Sequence, residues 1–500
     1  MFSAFANCFK IPELRQRILF TLALIVIIRL GSAIPCPGIN AGVLGEYFRT
    51  IIEQQNQGSI VGMFNLFSGG ALENCAIFSL TIMPYISASI VMQLATGVVP
   101  SLARMVREEG GRQKISQYTR LGTLILCVVQ GYLLAVSFEH PQNIPIFHGI
   151  EPILQKMGPL VTDPGWFFRF EAVLTLTAGT MLLMWLGEQI TEKGIGNGIS
   201  LVIAAGIIAK LPAALVAAWH VFVPPAGSGQ EATSPLVLVI LIGFLLGVIA
   251  VTIMLTQALR KVSVQYARQV RGNRVYGGQA SFLPLKVNYS GVMPIIFANA
   301  ILLFPATLVS LLFPAWQMGA RINQMLAQGW LHYLVSGTMI FFFSYFWVAM
   351  VFNPTQIADD MKRHGGYIPG VRPGDATARY LDFSMTRLTF AGAIFLTVLA
   401  ILPMLVHEFI NVPMITAQFF GGTGLLIVVG VILDTMKQTE TYLLQRHYDG
   451  FLKKGRIRGR STVASATGEA LSNDKLIWLL AVVGVILIGG IAATLIHGKI

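Results

Sequence analysis

Few residues of this chain have the types and spacing that enzyme chemistry requires. The sequence contains no HExxH zinc motif, no nucleophile elbow and no P-loop, and its apolar stretches hold no paired carboxylates. The glycine cluster at 194–198 (GIGNG) superficially resembles a phosphate-binding loop. No Lys-Ser/Thr pair follows it, so a tight turn is the better interpretation. The sequence therefore offers no nucleophile and no metal-binding set that would support an intramembrane enzyme.

The four cysteines also show no recognisable pattern. They are scattered in or beside apolar stretches, without a CxxC motif or a Cys-His cluster: Cys8, Cys36, Cys75 and Cys127. This spacing predicts neither a disulfide framework nor a zinc site.

Charged residues within the apolar stretches are rare. Arg29 lies inside the first stretch, whereas Glu171, Lys210 and Asp434 lie near the ends of later ones. Carriers driven by protons or sodium usually place ionisable residues at mid-membrane. The scarcity of such residues argues against an ion-coupled carrier, and we expect any pathway through this chain to be lined by apolar side chains.

Two pairs of isoleucines are spaced so that each pair shares one face of a helix. Ile82 and Ile86 are four residues apart, as are Ile199 and Ile203. Taken alone, such pairs are better explained by ordinary lipid or core packing than by a pore.

The elements that must position these residues are membrane-spanning helices. The chain has 500 residues, of which 54% are hydrophobic and 12% charged, whereas about a quarter of the residues of a soluble protein are charged. About 20 apolar residues in a helix cross the hydrocarbon of a bilayer. Such windows occur at 18–37, 75–97, 121–137, 170–187, 198–218, 235–256, 291–313, 331–352, 388–406, 412–434 and 476–496. The composition predicts an all-α polytopic membrane protein.

One apolar segment, 60–72, is too short to cross a bilayer and leads directly into the second window. Open backbone ends find no hydrogen-bond partners in lipid, so a half-length segment must lie in a cavity walled by protein. We therefore expect the other helices to surround it.

The positive charges predict the orientation of the helices. With the N-terminus in the cytoplasm, the great majority of the 35 lysines and arginines fall on the cytoplasmic side. Arg15 and Arg17 before the first window fit either a removable signal or an anchor. Pro35 and Pro37 stand where a cleavage site would need small residues, which favours a retained first span.

Three cytoplasmic segments are unusual, and one is the tail after the tenth window, with Lys453, Lys454, Arg456, Arg458 and Arg460. Segment 256–290 contains cations and no acid, and segment 353–386 contains the rigid turn YIPGVRPG. Cations at the ends of spans are explained as topology anchors, but those in the middle of a long loop fit a partner that carries phosphates or carboxylates. The candidate docking residues are Arg260, Lys261, Arg268, Arg271, Arg274 and Arg372.

Long blocks of the chain, covering about residues 12–455, resemble the bacterial SecY family, the main subunit of the Sec translocon. They lie in both halves of the chain and in matching order. The blocks are MFNLFSGGALENCAIFSLTIMPYISASI, GRQKISQYTRLGT, MLLMWLGEQITEKGIGNGIS, RVYGGQASFLPLKVNYSGVMPIIFANAILLFPAT, VFNPTQIADDMKRHGGYIPGVRPG and FFGGTGLLIVVGVILDT.

The resemblance implies ten helices in two inverted halves of five, with an hourglass pore between them that opens sideways to lipid. The expected parts are an N-terminal half at 1–219, an external hinge loop at 220–234, a C-terminal half at 235–436 and a basic tail and linker at 437–474. The chain departs from the family pattern at 475–500, where a further span is expected to end outside the cytoplasm. That segment lacks the approach helix typical of SecE, so a fused SecE is not expected.

The resemblance also assigns site residues. The pore ring would be formed by Ile82, Ile86, Ile199, Ile203, Ile296 and Ile427. The plug would include Ile60, Gly62, Met63, Phe64, Asn65, Leu66, Phe67, Ser68, Gly69 and Gly70, held by modest apolar contacts. The lateral gate would include Ser87, Gln93, Asn299 and Phe304.

The function implied is that of a passive protein-conducting channel in the bacterial inner membrane, without a cofactor. It would pass unfolded secretory proteins across the membrane and release transmembrane segments sideways into lipid. The SecA ATPase or a translating ribosome would supply energy and dock on the basic loops. SecE and SecG would be further subunits, and anionic lipid fits the net charge of +12. A small-solute permease is the alternative, although it would need a polar site at mid-membrane.

Overall fold

The computed structural model describes residues 11–53, 68–108, 110–141, 150–222, 235–266, 269–271, 274–276, 280–298, 301–302, 330–410 and 423–453. Most of these residues are helical. The predicted eleventh span and most of the predicted seventh lie outside this part of the chain.

The first half of the chain consists of helices joined by turns. In order they are α1 (Pro12–Gly31), α2 (Ala41–Glu53), α3 (Met83–Val98), α4 (Pro100–Arg107), α5 (Gly111–Glu139), α6 (Glu151–Met157), α7 (Trp166–Lys193), α8 (Gly198–Ala209) and α9 (Leu211–Phe222). The predicted turn at 194–197 connects α7 to α8. Asn197 caps α8, because its side-chain oxygen accepts the N–H of Ile199 at 3.1 Å and that of Ser200 at 3.3 Å.

The second half combines helices with short strands. In order they are α10 (Pro235–Gln257), β1 (Leu259–Tyr266), β2 (Gln269–Arg271), β3 (Arg274–Tyr276), β4 (Ala280–Lys286), α11 (Trp330–Val351), α12 (Pro354–Arg363), β5 (Gly366–Tyr367), α13 (Asp375–Ile410) and α14 (Thr423–Lys453). Residues 293–298 are also helical and belong to the predicted seventh span.

Several helices of the described part are long and apolar enough to cross a membrane. Five stretches meet this test: Gln113–Glu139, Trp166–Lys193, Gly198–Val216, Leu331–Arg363 and Asp375–Leu402. The third joins α8 to the start of α9, and the fourth joins α11 to α12. A sixth is added if α3 and α4, which meet at 103°, are counted together. α1 is not counted among these spanning helices, because its 20 residues include the charged Arg15, Arg17 and Arg29 near the two ends.

The second predicted span begins later than its apolar window indicates. The window opens at residue 75, but the helix α3 opens only at Met83, with Pro84 in its first turn. The residues before it form turns, in which Cys75 and Thr81 adopt positive φ angles of 46° and 56°. The carbonyl oxygen of Ala71 accepts the N–H of Ala76 at 2.8 Å and also the hydroxyl of Ser79 at 3.0 Å, so the turns satisfy this group without a helix.

The fifth predicted span contains a break at Lys210. α8 ends at Ala209 and α9 begins at Leu211, with Pro212 in its first turn. Lys210 therefore occupies a helix junction inside an otherwise apolar span, where its side chain can turn away from lipid.

A small sheet occupies the loop after α10, which an all-helical interpretation did not predict. β1 pairs antiparallel with β4, from Leu259 opposite Lys286 to Gln265 opposite Ala280. β5 adds to the other edge of β1, with Gln265 opposite Tyr367. The buried Val262 and Val264 of β1 alternate with exposed residues and pack against α13, which anchors the sheet to the helices.

Gly198 permits a close approach of α8 to α7. A Cβ atom on Gly198 would collide with the carbonyl oxygen of Gly187. We expect Gly198→Ala to lower the melting temperature of the purified protein in detergent, because overpacking costs about 1–3 kcal/mol. Gly45→Ala in α2 is the control, since a Cβ there meets no atom within 4 Å. Equal melting temperatures for the two variants would contradict this account.

Candidate functional site

Six isoleucines from both halves of the chain meet in one apolar cluster. Ile82 immediately precedes α3 and Ile86 lies in it, Ile199 and Ile203 lie on α8, Ile296 lies in the helical residues 293–298, and Ile427 lies on α14. Five of them are buried and Ile199 is partly buried against the others. The structure therefore brings together every residue predicted for the ring, from elements far apart in the sequence. Their role as a pore ring remains a prediction.

The isoleucine cluster separates two cavities of different character. The larger, with a volume of about 440 Å³, is lined in part by polar side chains that include Gln93, Asn288 and Asp434. The smaller, of about 40 Å³, lies toward Arg29 and Ser68. Ile86, Ile203 and Ile296 line both cavities. The cluster is thus the wall between them.

Aromatic rings from the second half of the chain pack beside the isoleucine cluster. Phe297 packs edge to face against Phe343 and Trp347, with ring centroids 6.0 Å and 5.4 Å apart. All three rings belong to the same cluster as the isoleucines. Such pairs favour particular geometries, so they hold Ile296 in place beside them.

The described end of the predicted plug is held by polar contacts. Gly69 and Gly70 have φ angles of 63° and 90°, which favour glycine. A guanidinium nitrogen of Arg29 donates to the carbonyl oxygen of Gly69 at 2.7 Å. A Cβ on Gly69 would lie 2.7 Å from the Cα of Gly206, so α8 closely approaches this segment. Arg29, an isolated charge in the sequence, therefore binds the plug end in the structure.

Glu73, just beyond the plug, forms an ion pair with Lys210 at the junction of α8 and α9. Both side chains are partly buried. The sequence predicted apolar contacts for the plug, and at its described end the structure adds these polar contacts. The sequence offered a signal, because Glu73 and Lys210 are opposite charges in or beside apolar stretches. Nothing in their spacing, however, indicated that they meet.

The predicted gate and the rest of the plug are described only in part. Ser87 and Gln93 lie on α3, both partly exposed, and Gln93 donates to the hydroxyl of Ser89 at 3.2 Å. Ser89, which was not predicted, lines the larger cavity together with Gln93. The remaining predicted residues lie outside the described part of the chain: Asn299 and Phe304 of the gate, and Ile60, Gly62, Met63, Phe64, Asn65, Leu66 and Phe67 of the plug.

The sheet brings the two basic loops together. Arg260 and Lys261 are exposed on β1, and Arg372 is exposed in the loop after β5, whose Tyr367 hydroxyl donates to Gln265 of β1 at 3.0 Å. Arg271 and Arg274 face each other in the register of β2 and β3. Arg268 lies outside the described residues. The strand pairing thus makes one surface from two loops about a hundred residues apart.

No group of histidine, cysteine and acidic side chains in the described part could hold a metal ion. What the described site offers is an apolar wall between two cavities, a segment anchored on one side of it, and helices from two halves of the chain around it. These features are typical of a membrane channel.

The chain belongs to the SecY family. A family model described as SecY matches residues 76–436. The protein translocase subunit SecY of Thermotoga maritima is 42% identical over 461 residues, covering 92% of this chain and 100% of the relative. The subunit of the same name from Escherichia coli K12 is 45% identical over 451 residues, covering 89% and 96%.

Solved structures share the fold. A structure described as that of a protein conducting channel has a TM-score of 0.54 at 17% identity, covering 85% of this chain and 91% of the other. Sec61 in a canine ribosome-channel complex from the endoplasmic reticulum has a TM-score of 0.53 at 17% identity, with the same coverage. The predicted SecY-type channel fold is confirmed, whereas the extra C-terminal helix stays a prediction.

The isoleucine cluster generates a prediction about ion leakage. Replacing Ile82, Ile199 and Ile427 together with serine should raise the ion conductance of bilayers that contain the protein, because a polar constriction stays wet. The control is Ile340→Ser, the same change at a buried isoleucine in a different cluster. Unchanged conductance in the triple variant, or an equal rise in the control, would remove the isoleucines from the ring.

The ion pair generates a second prediction. Glu73→Gln and Lys210→Met should each raise the frequency of brief channel openings by about five-fold, because a partly exposed pair contributes roughly 1 kcal/mol. The two changes combined should have no more effect than one alone, since both remove the same contact. Glu151→Gln in α6 is the control. Additive effects in single-channel recordings would show that Glu73 and Lys210 act separately.

Proposed function

We propose that this chain is the passive channel through which a translocase passes unfolded secretory proteins and from which it releases transmembrane segments into lipid. The observation that carries the proposal is the wall of isoleucines between the two cavities, with the described end of the plug on the side of the smaller one. The family membership and the channel fold agree with it. A small-solute permease is set aside, because the relatives are translocase subunits.

Aliphatic side chains suit such a constriction for a physical reason. They exclude water and ions from a narrow passage, yet they form no hydrogen bonds to a chain that passes between them. A polar ring would stay hydrated and would hold particular sequences. Signal sequences with about 20 apolar residues gain free energy by entering lipid, which can drive the gate helices apart. Gln93 and Ser89 on α3 would then line the opening.

The energy for transport is proposed to come from a partner. The SecA ATPase or a translating ribosome would dock on the surface formed by β1 and the loop that carries Arg372, because exposed cations attract carboxylates and phosphates. SecE would clamp the two halves, and SecG would add a further small subunit. Anionic lipid would bind the cations at the cytoplasmic ends of the helices.

The proposed location is the bacterial inner membrane, with the N-terminus and the sheet in the cytoplasm. The charge distribution of the sequence supports this orientation. The plug end and the Glu73–Lys210 pair would then lie toward the outside. If 476–496 inserts as a span, the C-terminus would also be external.

Reconstitution tests the proposal. We expect vesicles that contain this chain and a SecE-like subunit to protect a signal-bearing substrate from added protease when SecA and ATP are present. The same substrate without its signal is the matched control and should remain accessible. Full digestion of the signal-bearing substrate under these conditions would contradict transport by this chain.

A further inference from the structure

Cys36 and Cys75 lie opposite each other, although nothing in their spacing relates them. A short antiparallel bridge pairs Pro35, after α1, with Ala76, before α3. The N–H of Cys36 donates to the carbonyl oxygen of Cys75 at 2.7 Å. The bridge is completed by the N–H of Ile77, which donates to the carbonyl oxygen of Ile34 at 3.0 Å.

The register of this bridge brings the two cysteines within the range of a disulfide. Cys75 departs from the extended conformation, with a φ angle of 46°, but its hydrogen bond to Cys36 holds the two backbones near the Cα spacing of a hydrogen-bonded antiparallel pair, about 5.5 Å. Disulfides join Cα atoms about 4.4–6.8 Å apart. Both side chains are buried in one cluster, with exposed fractions of 2% for Cys36 and 1% for Cys75. The cluster also contains Val43 and Leu44 of α2, so the sulfur atoms share a single apolar environment beneath that helix.

We propose that Cys36 and Cys75 are an oxidation site at which one disulfide joins the loop after α1 to the segment between the plug and α3. An external protein or small molecule that carries a disulfide is the oxidant. Exchange forms one bond between the two sulfur atoms and breaks the S–S bond of the oxidant. The two cysteine protons pass to the oxidant, which leaves as two thiols.

Local opening is required for this reaction. Both thiols are buried, so a disulfide-bearing oxidant does not reach them while the cluster is closed. The residues around Cys75 form turns and not a helix, and such segments open at lower free energy than helices in a core. Exchange therefore occurs while the chain assembles, or when the segment moves away from the cluster.

The bond would restrain the base of the plug. Cys75 follows Glu73 by two residues, and the segment continues from there to α3. A disulfide to Cys36 adds a covalent bond between that segment and the loop after α1 to the hydrogen bonds and the ion pair that already hold it. This consequence rests on the proposed function and on the proposed external side of the segment. Formation of the bond in the purified protein depends on neither.

The test uses the purified full-length chain in detergent, incubated with glutathione disulfide. Free thiols are then alkylated after unfolding, and the digested protein is analysed by mass spectrometry. We expect a cross-linked peptide pair that contains Cys36 and Cys75, about 2 Da lighter than the two reduced peptides together. Cys127 is the control, because it is buried in α5 beside Thr180 and should remain alkylated. Cys75→Ala should abolish the linked pair and leave Cys36 alkylated. A fully alkylated Cys36 and Cys75 in the wild type would overturn the proposal.

A second measurement tests whether the Cys36–Cys75 disulfide slows transport. In the reconstituted system, oxidised channels should transport substrate several-fold more slowly than channels treated with a reductant, and Cys75→Ala channels should be insensitive to either treatment. Equal rates for oxidised and reduced wild type would overturn the restraint on the plug. Failure of the reduced protein to transport at all would count against the proposed function, while the linked peptide would still report on the oxidation site.

Discussion

Contact among aliphatic side chains from the two halves of the chain is the interaction on which the rest of the structure depends. Ile82 and Ile203 come from the first half, and Ile296 and Ile427 from the second, and they meet in a single cluster. If, as proposed, they form the pore ring, separating these side chains would join the two cavities through water. A helical channel can open only if this contact is weak, and can remain sealed only if the contact is dry.

The contacts around the plug end differ in kind from those of the isoleucine cluster. The carbonyl oxygen of Gly69 accepts from Arg29, and Glu73 pairs with Lys210. Charged groups near the hydrocarbon need such partners, because unpaired they would require water or a large change in ionisation. The same charges therefore satisfy one another and fix the segment. Partly exposed pairs contribute about 1 kcal/mol each, so the segment can be released without unfolding the helices around it.

Apolar windows and positive charges predicted much of the fold, because an apolar stretch of about 20 residues satisfies its backbone in lipid by forming a helix. The predicted windows therefore match α5, α7, α11 and α13. The same argument fails where the chain is shielded from lipid. Residues 75–82 are as apolar as a helix but form turns, because turn bonds and the loop after α1 satisfy the backbone instead. The sheet was not predicted, because the loop after α10 was interpreted only as a basic docking segment. The alternation of Val262 and Val264 with polar residues was visible in the sequence.

Pairings between distant residues could not be predicted from this sequence. Glu73 and Lys210, or Cys36 and Cys75, meet only because the turns before α3 bring the chain back beside α1 and α8. One geometric feature therefore produces both contacts, and neither residue pair has a spacing that local periodicity could reveal. A segment whose backbone lacks helical hydrogen bonds needs other partners for its N–H and C=O groups and for its charged side chains. The partners available here are Arg29 of α1, the loop after α1 and Lys210 between α8 and α9, so several separate contacts hold the segment.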